Sequence, residues 1–494
     1  MRNRYSDIPP VLAYTGVLLL PFGAMLLVPI LVGVPYGEHR TPGIGIWPFV
    51  VPAVASFLVG AALCLRWRLR TLSVRQSAFV CVVGWLTISA VGAVPFCMAI
   101  GTNYLDALFE SVSGFTTTGI TMLTGLDEMP RSLLFWRSLT QWIGGLGILS
   151  FFLFITYAGS SGPALLAAES HKISAKRPAP GLWHTLQILW LIYAGATTLV
   201  FLLLRVGGVS VFDSVCHAFT TLSTGGYSPY DASVLHYRET HRLAPLIEYA
   251  IVFGMLLGGM NFLVHSRVVR GQVSALWDHF EVRLFWAIVV GATLLVLANH
   301  IQHNLYDRTE LAFRTSLFQV VSVVTTTGFG THYIGDRAYF PAVARQVFLV
   351  LMVIGGCVGS TGGGIKVLRI GILLKMVRRH VRRITQPRRV VEPLVVDRTV
   401  VDGEGIRQVA GLFFGWVVLL VAGGLITAWF SDLDAEASFS GMCSALGNIG
   451  PCYISVERMI ALHPLVKITY IIGMLAGRLE IVPILMLLTR RLWR

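Results

Sequence analysis

Ser113-Gly-Phe-Thr-Thr-Thr-Gly119 decides the fold, because three other stretches repeat its pattern. They are Thr220-Thr-Leu-Ser-Thr-Gly-Gly226, Ser322-Val-Val-Thr-Thr-Thr-Gly328 and Ser444-Ala-Leu-Gly-Asn-Ile-Gly450. Take the last glycine of each as position zero. A small hydroxyl residue stands six positions earlier: Ser113, Thr220, Ser322 and Ser444. Apolar residues stand eleven, seven and four positions earlier. They are Leu108, Val112 and Phe115; Val215, Phe219 and Leu222; Leu317, Val321 and Val324; Phe439, Cys443 and Leu446. Steps of four and three trace one stripe of a helix. Each segment therefore predicts a short helix that runs into a polar, glycine-ended strand. The glycines recur at intervals of 107, 102 and 122 residues, too long for a solenoid unit. Such an interval holds two membrane helices with a re-entrant helix between them. One T-T-T-G alone is ordinary loop sequence; four copies sharing a stripe, a hydroxyl and a glycine are not.

Outward from these segments the chain is apolar. Of 494 residues, 55% are hydrophobic and 13% charged, and the mean hydropathy is +0.70. So few charges cannot cover a soluble surface. Windows of roughly 20 uncharged residues, enough to cross about 30 Å of hydrocarbon, predict ten spans. They lie near 11–33, 44–65, 77–100, 133–157, 184–206, 244–265, 284–301, 342–374, 409–430 and 463–489. The N-terminus reads as an uncleaved first span, since no small-residue cleavage site follows it.

The net charge of +14 is distributed in a way that argues against nucleic acid. Basic residues collect on alternate loops: Arg66, Arg68, Arg70 and Arg75; Lys172, Lys176 and Arg177; Arg267, Arg270 and Arg283; Lys375 to Arg389; and Arg490, Arg491 and Arg494. This positive-inside pattern predicts a multi-pass protein with both termini cytoplasmic and the four glycine segments outside. The basic excess then serves topology and anionic lipid. The seven cysteines, with no C-x-x-C, support neither a zinc site nor a disulfide framework.

The expected fold is an all-α polytopic membrane protein. An N-terminal two-helix hairpin (1–70) precedes four parallel helix–re-entrant pore loop–helix repeats around a central pore: 71–165, 166–275, 276–375 and 409–494. The third repeat carries an interruption at 355–366, and 376–408 form a basic cytoplasmic loop. Non-helical backbone inside a membrane must line a cavity or be packed in protein. Four such stretches imply one shared cavity, where carbonyl oxygens replace the hydration shell of a cation. The negative ends of the short helices favour a cation there.

These residues resemble a known family. Ser113-Gly-Phe-Thr-Thr-Thr-Gly119, Ser223-Thr-Gly-Gly-Tyr-Ser228, Val324-Thr-Thr-Thr-Gly-Phe329 and Gly447-Asn-Ile-Gly-Pro451 are similar to the filter segments of the TrkH/TrkG potassium uptake proteins, in the TrkH/KtrB superfamily. Gly359-Ser-Thr-Gly-Gly-Gly-Ile-Lys366 resembles that family's intramembrane loop, and Gly477-Arg-Leu-Glu480 its last-helix signature. The resemblance implies a bacterial inner-membrane, potassium-permeable pore, with K+ as the transported ion and no organic cofactor. It further implies a homodimer with one pore per protomer and a cytosolic TrkA-type nucleotide-binding regulatory subunit. Carried onto this chain, the cation ligands are backbone carbonyls of Thr117, Thr118 and Gly119; Thr224, Gly225 and Gly226; Thr326, Thr327 and Gly328; and Asn448, Ile449 and Gly450. In the second repeat Gly226 is taken as position zero because an aromatic follows it, as Phe329 follows Gly328. Cys452 after Pro451, and Gly330 and Tyr333 in the third loop, depart from the family pattern and bear on fine selectivity.

The resemblance marks Gly359, Gly362, Gly363, Gly364, Lys366 and Arg478 as gate residues. The glycine-rich stretch is no phosphate loop, because Ile365 separates Gly364 from Lys366. It reads as a hinge or as a static kink. Arg478 either projects below the filter or forms a structural ion pair. Asp106 and Asp213, thirteen residues before their glycines, read as helix caps or as cation attractors. The run Arg378, Arg379, Arg382, Arg383, Arg388 and Arg389 docks an acidic regulatory subunit or lies against lipid. Two transport modes stay open: permeation through a gated pore, or proton- or sodium-coupled potassium symport. No enzyme motif is present.

Overall fold

In a computed structural model, residues 8–40, 45–70, 72, 74–147, 182–385, 393–397, 399–479 and 481 are described. The expectations for 148–157, Lys172, Lys176, Arg177, Arg388, Arg389, Glu480 and 482–494 lie outside them. Helices Ile8–Gly33 and Trp47–Arg66 pack as a hairpin. Their backbones close on each other at Gly16 and Gly60, where a Cβ on Gly60 would lie 3.0 Å from the Gly16 carbonyl oxygen. Small residues permit such close approach in a membrane helix pair.

One order of elements then recurs four times. Leading helices are Val74–Gly92 with Val94–Ile100, Leu182–Val206, Phe280–Gln302 and Gly403–Trp429. Short pore helices follow: Tyr104–Phe115, Val211–Leu222, Thr309–Val324 and Ala435–Gly447. Trailing helices are Arg131–Trp142, Ala244–Gly259 with Phe262–Val269, Ala342–Val353 with Val367–Thr385, and Pro464–Arg478. A two-stranded hairpin, β1 (Leu394–Val396) and β2 (Thr399–Val401), packs on the last turns of the third repeat.

Among the described residues, six helices are long and apolar enough to cross a membrane: the hairpin pair and the four leading helices. The trailing helices differ from the expected continuous spans. The segment read as one span over 244–265 is bent by 107° after Gly259, where the Asn261 side chain caps Leu263 N–H at 2.8 Å. The segment read as 342–374 is broken between Val353 and Val367. Hydropathy sees the apolar length but not the break, because glycine and asparagine interrupt the helix without adding charge.

The leading helices leave large apolar side chains such as Leu191, Leu294, Phe414 and Trp429 exposed, as lipid contact requires. The pore helices instead carry buried polar residues inward. Asn103, Ser210 and Asp434 cap three of them, accepting from Asp106 N, Asp213 N and Ala437 N.

Candidate functional site: a ring of four glycine strands

All four pore helices end in the same way. The N–H at position minus one donates to the carbonyl at minus six: Thr118 to Ser113 at 2.8 Å, Gly225 to Thr220 at 2.9 Å, Thr327 to Ser322 at 2.9 Å and Ile449 to Ser444 at 3.0 Å. The N–H at minus two donates to minus five: Thr117 to Gly114, Thr224 to Thr221, Thr326 to Val323 and Asn448 to Ala445. This pair of bonds is the Schellman helix ending, which requires left-handed backbone at its fifth residue. Thr117 (φ 52°), Thr224 (53°), Thr326 (57°) and Asn448 (52°) supply it. Three of these are β-branched threonines, for which that conformation is strained.

The chain then turns through glycine. Gly119, Gly226, Gly328 and Gly450 have φ of 86°, 76°, 94° and 102°, conformations open to a residue without Cβ. A Cβ on Gly119 would collide with the Gly225 carbonyl, on Gly226 with Thr327, on Gly328 with Ile449, and on Gly450 with Thr118. Each strand thus abuts the next, and the fourth abuts the first. The four segments close a ring, and Gly226 occupies the position equivalent to the other three. A vestibule of about 540 Å³ touches all four ring glycines.

Beneath the ring, on the side of the pore-helix ends, lies the interruption of the third trailing helix. Thr361 Oγ1 donates to the carbonyls of Leu222 at 2.9 Å and Gly258 at 3.0 Å. Gly363 N–H donates to Thr326 Oγ1 at 2.8 Å, and a Cβ on Gly363 would meet the Gly447 carbonyl and Asn448. Gly359 and Gly364 take φ of 74° and 64°. The Gly362 carbonyl accepts from Lys366 Nζ. Arg478 reaches the same loop: Nη1 donates to the Thr361 carbonyl at 2.6 Å, and Nη2 to Gly144 at 2.5 Å and Gly145 at 2.8 Å. One guanidinium thus joins the fourth repeat, the loop of the third and the end of the first trailing helix.

This ring, vestibule and crossing loop belong to a known architecture. The family model described as "TrkH: Cation transport protein" matches residues 49–492. The Trk system potassium uptake protein TrkH of Salmonella typhimurium is 32% identical over 97% of this chain and 98% of its own length. Its counterpart in Vibrio parahaemolyticus is 33% identical over 98% and 99%. The crystal structure of the potassium transporter TrkH from Vibrio parahaemolyticus superposes with a TM-score of 0.86 at 31% identity, covering 98% of this chain and 99% of that one.

The chain belongs to the TrkH cation transport protein family.

As a TrkH-family member it is a multi-pass membrane transporter and not an enzyme. Of the residues named from sequence, the twelve expected as cation ligands lie in the ring, and Gly362, Gly363 and Arg478 meet directly below it, joined by Thr361, which the sequence reading did not single out. Asp106 and Asp213 are not the caps themselves; they stand in the first turn behind Asn103 and Ser210, where Asp106 accepts from Asn103 Nδ2 and pairs with Lys467 at 2.5 Å, and Asp213 accepts from Ser210 Oγ and Tyr230 OH. Among the twelve, Gly225 differs, since its carbonyl accepts from Gln141 Nε2 at 2.7 Å.

Sequence reasoning missed the groups that hold the ring from behind. Glu110, fully buried, pairs with buried Arg137 at 2.8 Å and accepts from Met122 N–H. Arg137 also donates to the Ser228 carbonyl and lies over the Tyr227 ring at 4.0 Å. Reasoning also missed a second repeat, one glycine in each trailing segment: Gly144, Gly258, Gly355 and Gly477, followed by a second glycine in the first three and by Arg478 in the fourth. A Cβ on Gly144, Gly258 or Gly477 would strike the carbonyl at minus four of its own pore helix, Phe115, Leu222 or Leu446. In the third repeat Gly355 is diverted to Gly363 of the loop. Aligning the trailing helices as well as the filters reveals this signal.

Proposed function

We propose that this chain takes up potassium across the bacterial inner membrane through a gated pore. The carrying observation is the closed ring of Gly119, Gly226, Gly328 and Gly450 at the floor of one vestibule. Carbonyls of the twelve ring residues replace the hydration shell of K+, and the pore helices aim their negative ends at it. The vestibule is the outer mouth. The loop from Gly355 to Lys366, held by Arg478, closes the inner side. The fixed charge of Arg478 opposes a cation there and does not titrate. The protomer works as a homodimer, and a cytosolic TrkA-type nucleotide-binding subunit moves the loop, docking near the exposed Arg378, Arg382 and Arg383.

The relatives named as potassium uptake proteins support the choice of ion. Parallel order of the repeats supports permeation over alternating access, which inverted repeats favour. The experiment is the reversal potential of the purified protein in planar bilayers under a fixed potassium gradient. A pore gives a reversal potential that follows potassium, ignores an imposed pH gradient and responds to sodium only in proportion to its sodium permeability. Displacement by the pH gradient, or by the sodium gradient beyond what the pore's measured sodium permeability produces, establishes coupled symport instead.

A further inference from the structure

The second filter strand is the irregular one, with Gly225 where the others have Thr118, Thr327 and Ile449. Nothing in its backbone calls for that glycine. Gly225 makes the same minus-one to minus-six bond as its counterparts, and it is not among the glycines with positive φ. What forbids a side chain is Gln141. A Cβ on Gly225 would collide with the Gln141 carboxamide carbon and both its polar atoms. Gln141 comes from the trailing helix of the first repeat and is fully buried. Its Nε2 donates to the Gly225 carbonyl at 2.7 Å, and its Oε1 accepts from Tyr227 N–H at 3.0 Å. The carboxamide therefore spans Gly226 from behind, holding the residue on either side of it.

We propose that Gln141 is a positioning residue for ion selection: it fixes the Gly225 carbonyl and the second ring glycine, and Gly225 is glycine to admit it. The inference rests on the filter reading above. A rigid spacing of carbonyls distinguishes K+ from the smaller Na+, and one of the four strands takes its spacing from a side chain. A carboxamide is required because the two contacts need one donor and one acceptor.

Four variants test this in liposomes loaded with the purified protein, reading the ratio of potassium to sodium flux. Gln141→Glu keeps the size and the Tyr227 contact but loses the donor to Gly225. Its ratio should fall by roughly two- to tenfold, the span of one hydrogen bond. Gln141→Ala should lower the ratio at least as far. Adding Gly225→Thr to Gln141→Ala refills the vacated space with the residue found in repeats one and three, and should restore part of the ratio. Gly225→Thr alone should lower it, because Gln141 stands in the way. Should Gln141→Ala not fold, Gln141→Glu and Gly225→Thr still decide the matter. Gly328→Ser is the control. A lowered ratio for Gly328→Ser with an unchanged ratio for Gln141→Glu and Gly225→Thr overturns the role of Gln141 and leaves the filter standing. An unchanged ratio in every variant, the control included, overturns the filter reading and this inference with it.

Discussion

Thr117, Thr224 and Thr326 sit in left-handed backbone that β-branched residues avoid. The fourth repeat uses Asn448 there, a residue type that enters left-handed backbone more readily; its Nδ2 donates to Thr118 Oγ1 and the Met474 carbonyl, both at 2.9 Å. Thr117→Asn should therefore stabilise the protein by about 1 kcal/mol, read as a higher midpoint of thermal unfolding in detergent. A lower midpoint would contradict the strain argument. These positions were legible in the sequence, because the backbone demand of each ring turn falls on residues adjacent in the chain and recurs four times. Gln141, Glu110 and Arg137 were not legible. Each is a polar residue inside an apolar or mixed helix, and its partner lies on another element: Gly225 for Gln141, Glu110 for Arg137. No local period announces such a contact. The double glycine Gly225-Gly226 was the visible trace of it, and only the structure tells that the space of a Gly225 Cβ is taken by Gln141.

At the scale of elements, the leading helices followed hydropathy closely, while the trailing helices did not. The second and third of these meet the base of the ring at Gly258-Gly259 and Gly355-Gly356 and bend or break there. In the third repeat the break is widest, and its two ends are tied together. Glu281 Oε1, in the first turn of the leading helix, accepts from Val358 N–H at 2.7 Å and Leu368 N–H at 3.2 Å. Next to it, Phe280 N–H donates to Asp397 in the turn between β1 and β2 at 2.8 Å. The basic loop thus reaches the ends of the crossing loop through one helix terminus. Glu281→Ala releases both backbone amides from their acceptor and should raise the open probability of single channels without altering the potassium-to-sodium ratio. An unchanged open probability would remove Glu281 from the gate. The interruption itself was legible from Gly355 to Gly364; its partners were not, since Gly258 and Gly447 come from other repeats and Thr326 from the ring strand of its own.

Across the whole molecule, four segments separated by more than a hundred residues each meet at one ring with a fixed order: first against second, second against third, third against fourth, fourth against first. The exposed apolar helices face outward and the polar pore helices inward, the reverse of a soluble protein, because lipid replaces water on the outside. The central claim is that the four glycines are equivalent parts of one ion filter. The most direct test places serine in turn at Gly119, Gly226, Gly328 and Gly450 and measures potassium and sodium flux into liposomes, with size-exclusion elution confirming a folded protein. The account predicts a lower potassium-to-sodium ratio in each of the four variants. A wild-type ratio in a folded variant at any of the four would contradict it.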